Sequence, residues 1–319
     1  MKGAWSLACG ALLTLSVLPI SGAFVEATAP FSSLSSRYRG SLDQLAVPDI
    51  VMLKADHALA RERFDVGLFG NSRAVEVSAE DVGLSSGRFF NFAVGGVPFR
   101  QSVALIEYLN SRGRVPAFVV ISVDNHALGF DGLIYWPMLI HGRLAWDRDA
   151  LRDSASMALE QLKGYPVRIG ARLQYLAGGV APTTSEEPPY RLDGSRRARP
   201  GRPGAADGFK SADVGSYYMR TIDADMARLA SIQRNGTRIM IYESPLHPSI
   251  AQQNAGEGSR LRAHFNAACR QQQIECHDAP QIGSPEAWYD CCHAPPAALG
   301  TFIASRFQPQ PQLPTPVRR

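Results

Sequence analysis

The sequence lacks the patterns of several common protein classes. It has no paired CxxC motifs, so a structural zinc site is not predicted. It has no Cys/His finger and no RNP-like aromatic motif, and its net charge is only +4, so nothing indicates nucleic-acid binding. After the N-terminal segment, no apolar run is long enough to cross a bilayer. What remains is a chain of 319 residues, 45% hydrophobic, which can form a sizeable core.

The first 29 residues contain the one long apolar segment. Lys2 precedes an almost uncharged run from Ala4 to Val25, and small residues stand at its end. A positive start, an apolar middle and a small-residue exit are typical of a secretory signal. The run is also nearly long enough to remain in a bilayer. Residues 1–29 are therefore predicted to be either a signal peptide, cleaved after Ala23, or an N-terminal membrane anchor.

Export changes the interpretation of the cysteines. Four lie outside the N-terminal segment: Cys269, Cys276, Cys291 and Cys292. An even number of cysteines in an oxidising compartment predicts disulfides. Adjacent cysteines rarely pair because the ring is strained, so Cys291 and Cys292 are expected to bond to Cys269 or Cys276. The sequence leaves the exact pairing open.

Apolar runs and helical periodicities alternate along the chain. The runs predict strands at 64–69, 89–94, 117–123, 238–242 and 274–277. Apolar residues at helical spacing predict helices within 46–63 and at 100–111, 217–234, 259–273 and 295–307. Continuous apolar runs such as AFVVISV are typical of strands covered on both faces. The alternation predicts an α/β fold whose central parallel sheet has about five strands and helices on both faces.

One domain is predicted over residues 46–307. Residues 176–214 interrupt this domain. They are rich in Pro, Gly, Ser and Arg, so they are interpreted as a flexible insertion. The arginines of this insertion either belong to a solvated loop or contact anionic glycan or lipid headgroups. Residues 308–319 have low complexity and are predicted to be a disordered tail.

The segment FDVGLFGNSR ends an apolar run at Gly70-Asn71-Ser72-Arg73. Ligands of open parallel sheets bind outside the carboxyl ends of the strands, and Ser72 is expected at such an end. Unpaired backbone N–H groups in the following turn favour developing negative charge there. Without a neighbouring base, however, Ser72 would simply be a helix N-cap.

A base is predicted near the other terminus, in EAWYDCCHAPPAALG. Asp290 and His293 stand three residues apart in a loop before the last helix. That spacing lets the carboxylate hold one imidazole nitrogen while the other faces Ser72, as in a nucleophile–base–acid triad. His126, at another strand end, is the second choice for the base.

Two further residues are candidates for substrate binding. Arg73 is expected at the rim of the site, where it either binds an anionic group or is a helix-surface arginine. Trp288 either lines a sugar-binding rim or packs beside the disulfide region.

Together these motifs resemble the blocks of the SGNH (GDSL-like) hydrolase superfamily. FGNSR resembles the first block, Gly-Asp-Ser, with Asn71 in place of the aspartate, and DCCH resembles the last block, Asp-x-x-His. NFAVGGVPF resembles the second block, whose glycine donates a backbone N–H to the oxyanion. Gly96 matches that glycine best, and Gly95 is the alternative.

The third block, Gly-x-Asn-Asp, belongs where the sequence reads VVISVDN. Ser122 replaces its glycine, and its oxyanion asparagine aligns with Asp124 or, shifted by one position, with Asn125. A carboxylate at Asp124 would repel an oxyanion. The α/β-hydrolase fold is disfavoured, because its nucleophile motif has glycine two residues after the serine and Ala74 stands there.

The resemblance implies a three-layer flavodoxin-like fold and a serine esterase or O-acyltransferase acting on envelope or extracellular polysaccharide. It implies a catalytic Ser72, Asp290 and His293, and an oxyanion hole from Ser72, Gly96 and Asn125. No metal or organic cofactor is required. The expected location is periplasmic or extracellular, with anchoring to the inner membrane if the N-terminal segment stays attached. The expected partners are an acylated carbohydrate and an envelope polymer-modification complex. The alternative is an inactive relative that binds glycan or scaffolds polymer export.

Overall fold

The computed structural model describes residues 47–61, 63–124, 128, 190–196, 217–248, 251, 259–282, 288 and 293–307. The predictions for residues 1–29, for most of 176–214 and for 308–319 lie outside these residues. None of the helices in the described part of the chain combines the length and the hydropathy needed to cross a bilayer.

The described residues confirm the α/β fold with a five-stranded parallel sheet. The strands are β1 (Val66–Phe69), β2 (Phe89–Asn91), β3 (Phe118–Val123), β4 (Arg238–Glu243) and β5 (Glu275–His277). The helices are α1 (Val47–Leu59), α2 (Phe99–Ser111), α3 (Tyr217–Arg234), α4 (Ser259–Gln272) and α5 (Pro296–Arg306). The strand order is β2-β1-β3-β4-β5, and every neighbouring pair is parallel.

Alternate residues of the strands face two separate hydrophobic clusters, as the period of two in a strand requires. In β3, Val119 and Ile121 belong to one cluster, whereas Phe118 and Val120 belong to the other. The first cluster also contains apolar residues of α1, α2, α3 and α4. The second contains apolar residues of the segment 74–82 and of α5. The sheet is therefore covered on both faces, which explains its continuous apolar runs.

The chain reverses direction at the centre of the sheet. From β1 it moves to β2 at one edge, and from β2 it returns past β1 to β3 on the other side. Crossovers between parallel strands are right-handed, so connections that run in opposite directions lie on opposite faces. Residues 70–88 accordingly lie on the face of α5, and α2 lies on the other. The reversal point lies between β1 and β3, and ligands of open parallel sheets bind outside the carboxyl ends of the strands at such a point.

Seven residues of the predicted insertion, 190–196, are packed against edge strand β2. The N–H of Asn91 donates to Asp193 O at 2.7 Å, and the N–H of Arg196 donates to Val75 O at 2.7 Å. Gly194 has a φ of +76°, and a Cβ there would lie 2.6 Å from Asn91 O. This part of the insertion is thus built into the domain and protects an edge of the sheet.

One disulfide joins Cys269 in α4 to Cys276 in β5, with Cα atoms 6.2 Å apart. The prediction that either sulfur bonds to Cys291 or Cys292 was wrong. A tight turn through Gln273, whose φ is +55°, reverses the chain between the helix and the strand and brings the two cysteines together.

Candidate functional site

Ser72 lies in the turn that follows β1, and its side chain is half-buried. Gly70 makes this turn possible. Its φ is +144°, and a Cβ there would lie 2.8 Å from Ser122 O and 2.9 Å from Ser122 Cβ. Only glycine lets the end of β1 pass β3 this closely. The turn is closed by a hydrogen bond from the Ala74 N–H to Asn71 O at 3.1 Å.

Three buried polar side chains hold this turn to β3. Asp124 Oδ2 accepts a hydrogen bond from Asn71 Nδ2 at 2.8 Å and lies 3.0 Å from Arg73 Nε. Asn71 Oδ1 accepts from the backbone N–H of Arg73 at 3.1 Å. The exposed fractions are 6% for Asn71, 8% for Arg73 and 4% for Asp124. We call Asn71, Arg73 and Asp124 the β1–β3 cluster.

This cluster changes the interpretation of Arg73 and Asp124. Arg73 is not a helix-surface arginine, because it is buried and its charge is met by Asp124. The binding of an anionic substrate by Arg73 stays a prediction. The Asp124 carboxylate, which aligned with the third block, is neutralised by Arg73 and bonded to Asn71.

The loop after β2 runs beside Ser72. A Cβ at Gly95 would lie 3.7 Å from Ser72 Cβ, and the Val94 N–H donates to Gly70 O at 3.1 Å. Gly96 follows in the same turn and is exposed. Of the two glycines that match the second block, Gly95 is thus the one with measured proximity to Ser72. The backbone donation by Gly96 to an oxyanion stays a prediction.

Asn91, at the end of β2, supports both loops. Its Nδ2 donates to Ala74 O and Val77 O, each at 2.8 Å, and its Oδ1 accepts from the Ala93 N–H at 2.9 Å. The side chain is fully buried. Asn91 therefore ties the residues after Ser72 to the loop that carries Gly95.

No family model, curated protein or solved structure matches this chain. The likeness to SGNH hydrolases accordingly depends on the motifs and on their order along the chain.

Two described residues of the C-terminal motif, Trp288 and Ala294, pack on the face of the sheet that also carries the Ser72 turn. Trp288 is 4% exposed and belongs to the same hydrophobic cluster as Ala74 and Ala294. Its ring lies 5.7 Å from the His247 ring, in the loop after β4. His293, next to Ala294, is half-buried. A hydrogen bond between Ser72 and His293 stays a prediction.

Several predicted residues cannot be placed. Asp290, Asn125 and His126 lie outside the described residues. Trp288 is buried in the core, which favours its packing interpretation over a sugar contact.

Charged residues continue along the carboxyl ends of the strands. A narrow cleft lies between Asp124, Glu243 of β4, Arg262 of α4 and Asp278 after β5. Burial raises the pKa of Glu243, Asp278 adds to the rise, and Arg262 opposes it. A larger groove of about 560 Å³ lies between β5 and α5, away from β1. The reversal point between β1 and β3 is the better candidate, because a glycine backbone lies beside one serine there and a buried ion pair holds the residue next to that serine.

A second buried polar cluster was not found from the sequence. Lys54 of α1 is fully buried, and its Nζ donates to Asn91 O at 3.0 Å and to Ala93 O at 2.6 Å. Asp193 accepts from the Ala79 N–H at 2.6 Å and from the Ser195 N–H and Oγ at 3.0 and 2.7 Å. We call Lys54, Asn91 and Asp193 the β2-edge cluster.

Burial lowers the pKa of Lys54 to about 7, although the negative charge of Asp193 raises it. The amine binds the carbonyl of Ala93, two residues before Gly95, so it supports the loop beside Ser72. The only sequence signal was a lysine among the apolar residues of α1.

Proposed function

We propose that this chain is an exported serine esterase or O-acyltransferase that acts on acyl esters of cell-envelope or extracellular polysaccharide. Ser72 attacks the acyl carbonyl, His293 takes its proton, and Asp290 orients His293. Backbone N–H groups of Ser72 and Gly96, together with Asn125, stabilise the oxyanion. The ester C–O bond then breaks, and His293 returns the proton to the leaving oxygen. Water or a sugar hydroxyl next takes the acyl group from Ser72.

The observation that carries this proposal is the position of Ser72. It stands in a turn at the carboxyl end of β1, where the chain reverses direction across the sheet, and ligands of such sheets bind at this point. A glycine backbone runs beside it, since a Cβ at Gly95 would be 3.7 Å away. Acyl transfer needs a serine next to backbone N–H groups.

The strand order supports the finer assignment of the fold. The order β2-β1-β3-β4-β5 is that of flavodoxin-like sheets, which the SGNH resemblance implies. The packing of Trp288 and Ala294 in one cluster with Ala74 supports the approach of His293 to the serine.

One observation favours the second candidate, a weak or inactive relative that binds glycan or scaffolds polymer export. Asp124 stands where the third block has an oxyanion donor, and a carboxylate only accepts hydrogen bonds. Loss of one oxyanion donor costs about 10²–10³ in rate. We therefore expect a slow enzyme unless Asn125 supplies the missing donor.

The proposal is tested by labelling the folded protein with a fluorophosphonate, which reacts with activated serines. We expect wild type to be labelled, Ser72→Ala to take no label, and His293→Ala and Asp290→Asn to be labelled slowly. Ser85→Ala, in an exposed turn, and His264→Ala, where the ring pairs with Asp223, are matched controls that should label as wild type. A folded wild type without label would support the binding protein instead.

The N-terminal motif supports export, so we propose a periplasmic or extracellular location, with or without an inner-membrane anchor. The proposed partners are an acylated carbohydrate and a complex that modifies envelope polymers. The acyl donor or acceptor can be sought with acetylated glycans once labelling has shown an active serine.

A further inference from the structure

A single carboxylate oxygen holds the residues on both sides of Ser72. Asp124 Oδ2 binds Asn71 Nδ2 at 2.8 Å and Arg73 Nε at 3.0 Å. Asn71 and Arg73 are the immediate neighbours of the serine in the chain, and both are buried. Asp124 directly follows β3, so the contact fixes the turn relative to the centre of the sheet.

We propose that Asp124 is a positioning residue for Ser72, which sets the direction of the serine hydroxyl through Asn71 and Arg73. The inference rests on the proposed function and deepens it. It gives the carboxylate at the third-block position a role other than donation to the oxyanion.

The charges in the cluster are consistent with this role. A carboxylate has no proton to donate, so Asp124 cannot hold an oxyanion. The Arg73 guanidinium contacts the same oxygen and offsets its negative charge. The ion pair thereby removes the repulsion that an uncompensated Asp124 carboxylate would exert on the negatively charged transition state. A displacement of about 1 Å in a reacting group costs up to about 10²-fold in rate. Contacts from Asp124 to the residues on both sides of the nucleophile limit such a displacement.

The same contacts would be present if Asp124 only stabilised the fold. The experiment must therefore separate an effect on the free energy of unfolding from an effect on the reactivity of Ser72. Asp124→Asn leaves Arg73 buried without its counter-charge and is expected to destabilise the protein. The double variant Arg73→Met/Asp124→Leu removes both charges, and such replacements are often tolerated in cores. The double variant should therefore recover stability but not the hold on Ser72.

The measurement is the rate of fluorophosphonate labelling at Ser72 as a function of probe concentration, alongside the urea midpoint of each variant. We expect the maximal rate to fall about 10–100-fold in Asp124→Asn and in the double variant, at an unchanged half-saturating probe concentration. Asn71→Ala keeps the ion pair and removes one of the two contacts, so a smaller fall is expected. The control Asp225→Asn breaks a buried carboxylate–arginine pair on α3, where Oδ1 lies 2.6 Å from Arg228 Nη1, and should leave the rate unchanged.

The outcomes separate the two proposals. A labelled wild type with an equally fast double variant or Asn71→Ala would overturn the positioning role and leave the proposed function intact. A fall in rate that recovers together with the urea midpoint in the double variant would also overturn it. A folded wild type that takes no label would overturn the proposed function and this inference with it.

Discussion

The β1–β3 cluster and the β2-edge cluster hold their charges in different ways. In the β1–β3 cluster, Arg73 and Asp124 contact each other directly. In the β2-edge cluster, Lys54 Nζ donates hydrogen bonds to two backbone carbonyls, and the carboxylate of Asp193 accepts hydrogen bonds from backbone N–H groups and a hydroxyl. The first cluster is thus balanced by an ion pair and the second by backbone dipoles.

This difference predicts which substitutions each cluster should tolerate without a large loss of stability. Removing both charges of an ion pair leaves no buried charge behind, so the double change is milder than either single one. Removing both Lys54 and Asp193 leaves two separate sets of backbone groups without partners, so the two losses should add. The β2-edge cluster should therefore be the more important of the two for stability.

The largest expected effect comes from Asp193→Ala. It leaves the Ala79 N–H and the Ser195 N–H and hydroxyl without their acceptor inside the protein. We expect a loss of about 3–5 kcal/mol in the free energy of unfolding, measured by urea denaturation. Asp65→Ala is the control, because its pair with Arg88 is exposed and should contribute less than about 1 kcal/mol.

A double variant tests whether Lys54 and Asp193 stabilise the protein as an ion pair. Adding Lys54→Met to Asp193→Ala should not restore stability, whereas the Arg73→Met/Asp124→Leu pair should recover most of it. Recovery in the β2-edge double variant would show that Lys54 and Asp193 act as an ion pair after all.

The next effect concerns the two glycines that let the clusters form. A Cβ at Gly70 would meet Ser122 O at 2.8 Å, and one at Gly194 would meet Asn91 O at 2.6 Å, both at positive φ. We expect Gly70→Ala and Gly194→Ala each to cost about 2–4 kcal/mol. Gly70→Ala should also slow fluorophosphonate labelling, and more than Gly194→Ala does, since Gly70 leads directly into the Ser72 turn.

Gly83→Ala provides the control for backbone strain. Gly83 also has a positive φ, but a Cβ there would meet open space, so we expect a cost of about 1 kcal/mol. If Gly83→Ala were as destabilising as the other two, strain alone would explain the loss and the close approaches would not matter.

The smallest effect is a pH dependence that belongs to the β2-edge cluster. The Lys54 pKa is about 7 in the folded protein against 10.5 for an exposed lysine. Between these values the unfolded chain binds more protons, so stability rises with pH. Relative to Lys54→Met, wild type should gain about 2 kcal/mol from pH 7 to pH 9. Urea midpoints that run parallel for the two proteins over this range would contradict the lowered pKa of Lys54.

The fold was predictable from the sequence because the strands are short apolar runs and the helices carry clear periodicity. The helix at 217–234 and the ends of several other elements were located within one or two residues. The prediction missed the packing of 190–196 onto β2, because all its buried residues except Tyr190 are polar or glycine, and the tertiary hydrogen bonds decide where they pack.

The site was predictable in part, for a similar reason. Ser72 followed from a strand end with a Gly-Asn-Ser-Arg motif, which is local. The β1–β3 cluster joins residues 53 positions apart, and Lys54 and Asp193 are 139 positions apart in the chain. The sequence carries no local sign of such contacts. It placed Arg73 at the rim, because an arginine next to a turn is most often exposed.

The separation of β3 and β4 has a consequence for how the protein is made. Their first paired residues, Phe118 and Arg238, are 120 positions apart, so the central strand pair closes a very long loop. Contacts of this range slow folding, because the chain loses loop entropy before the pairing compensates for it. A chain that is synthesised N-terminus first holds β3 with an open, apolar edge until β4 arrives. Until then, this edge is where self-association would begin, and a chaperone that covers extended segments would bind there.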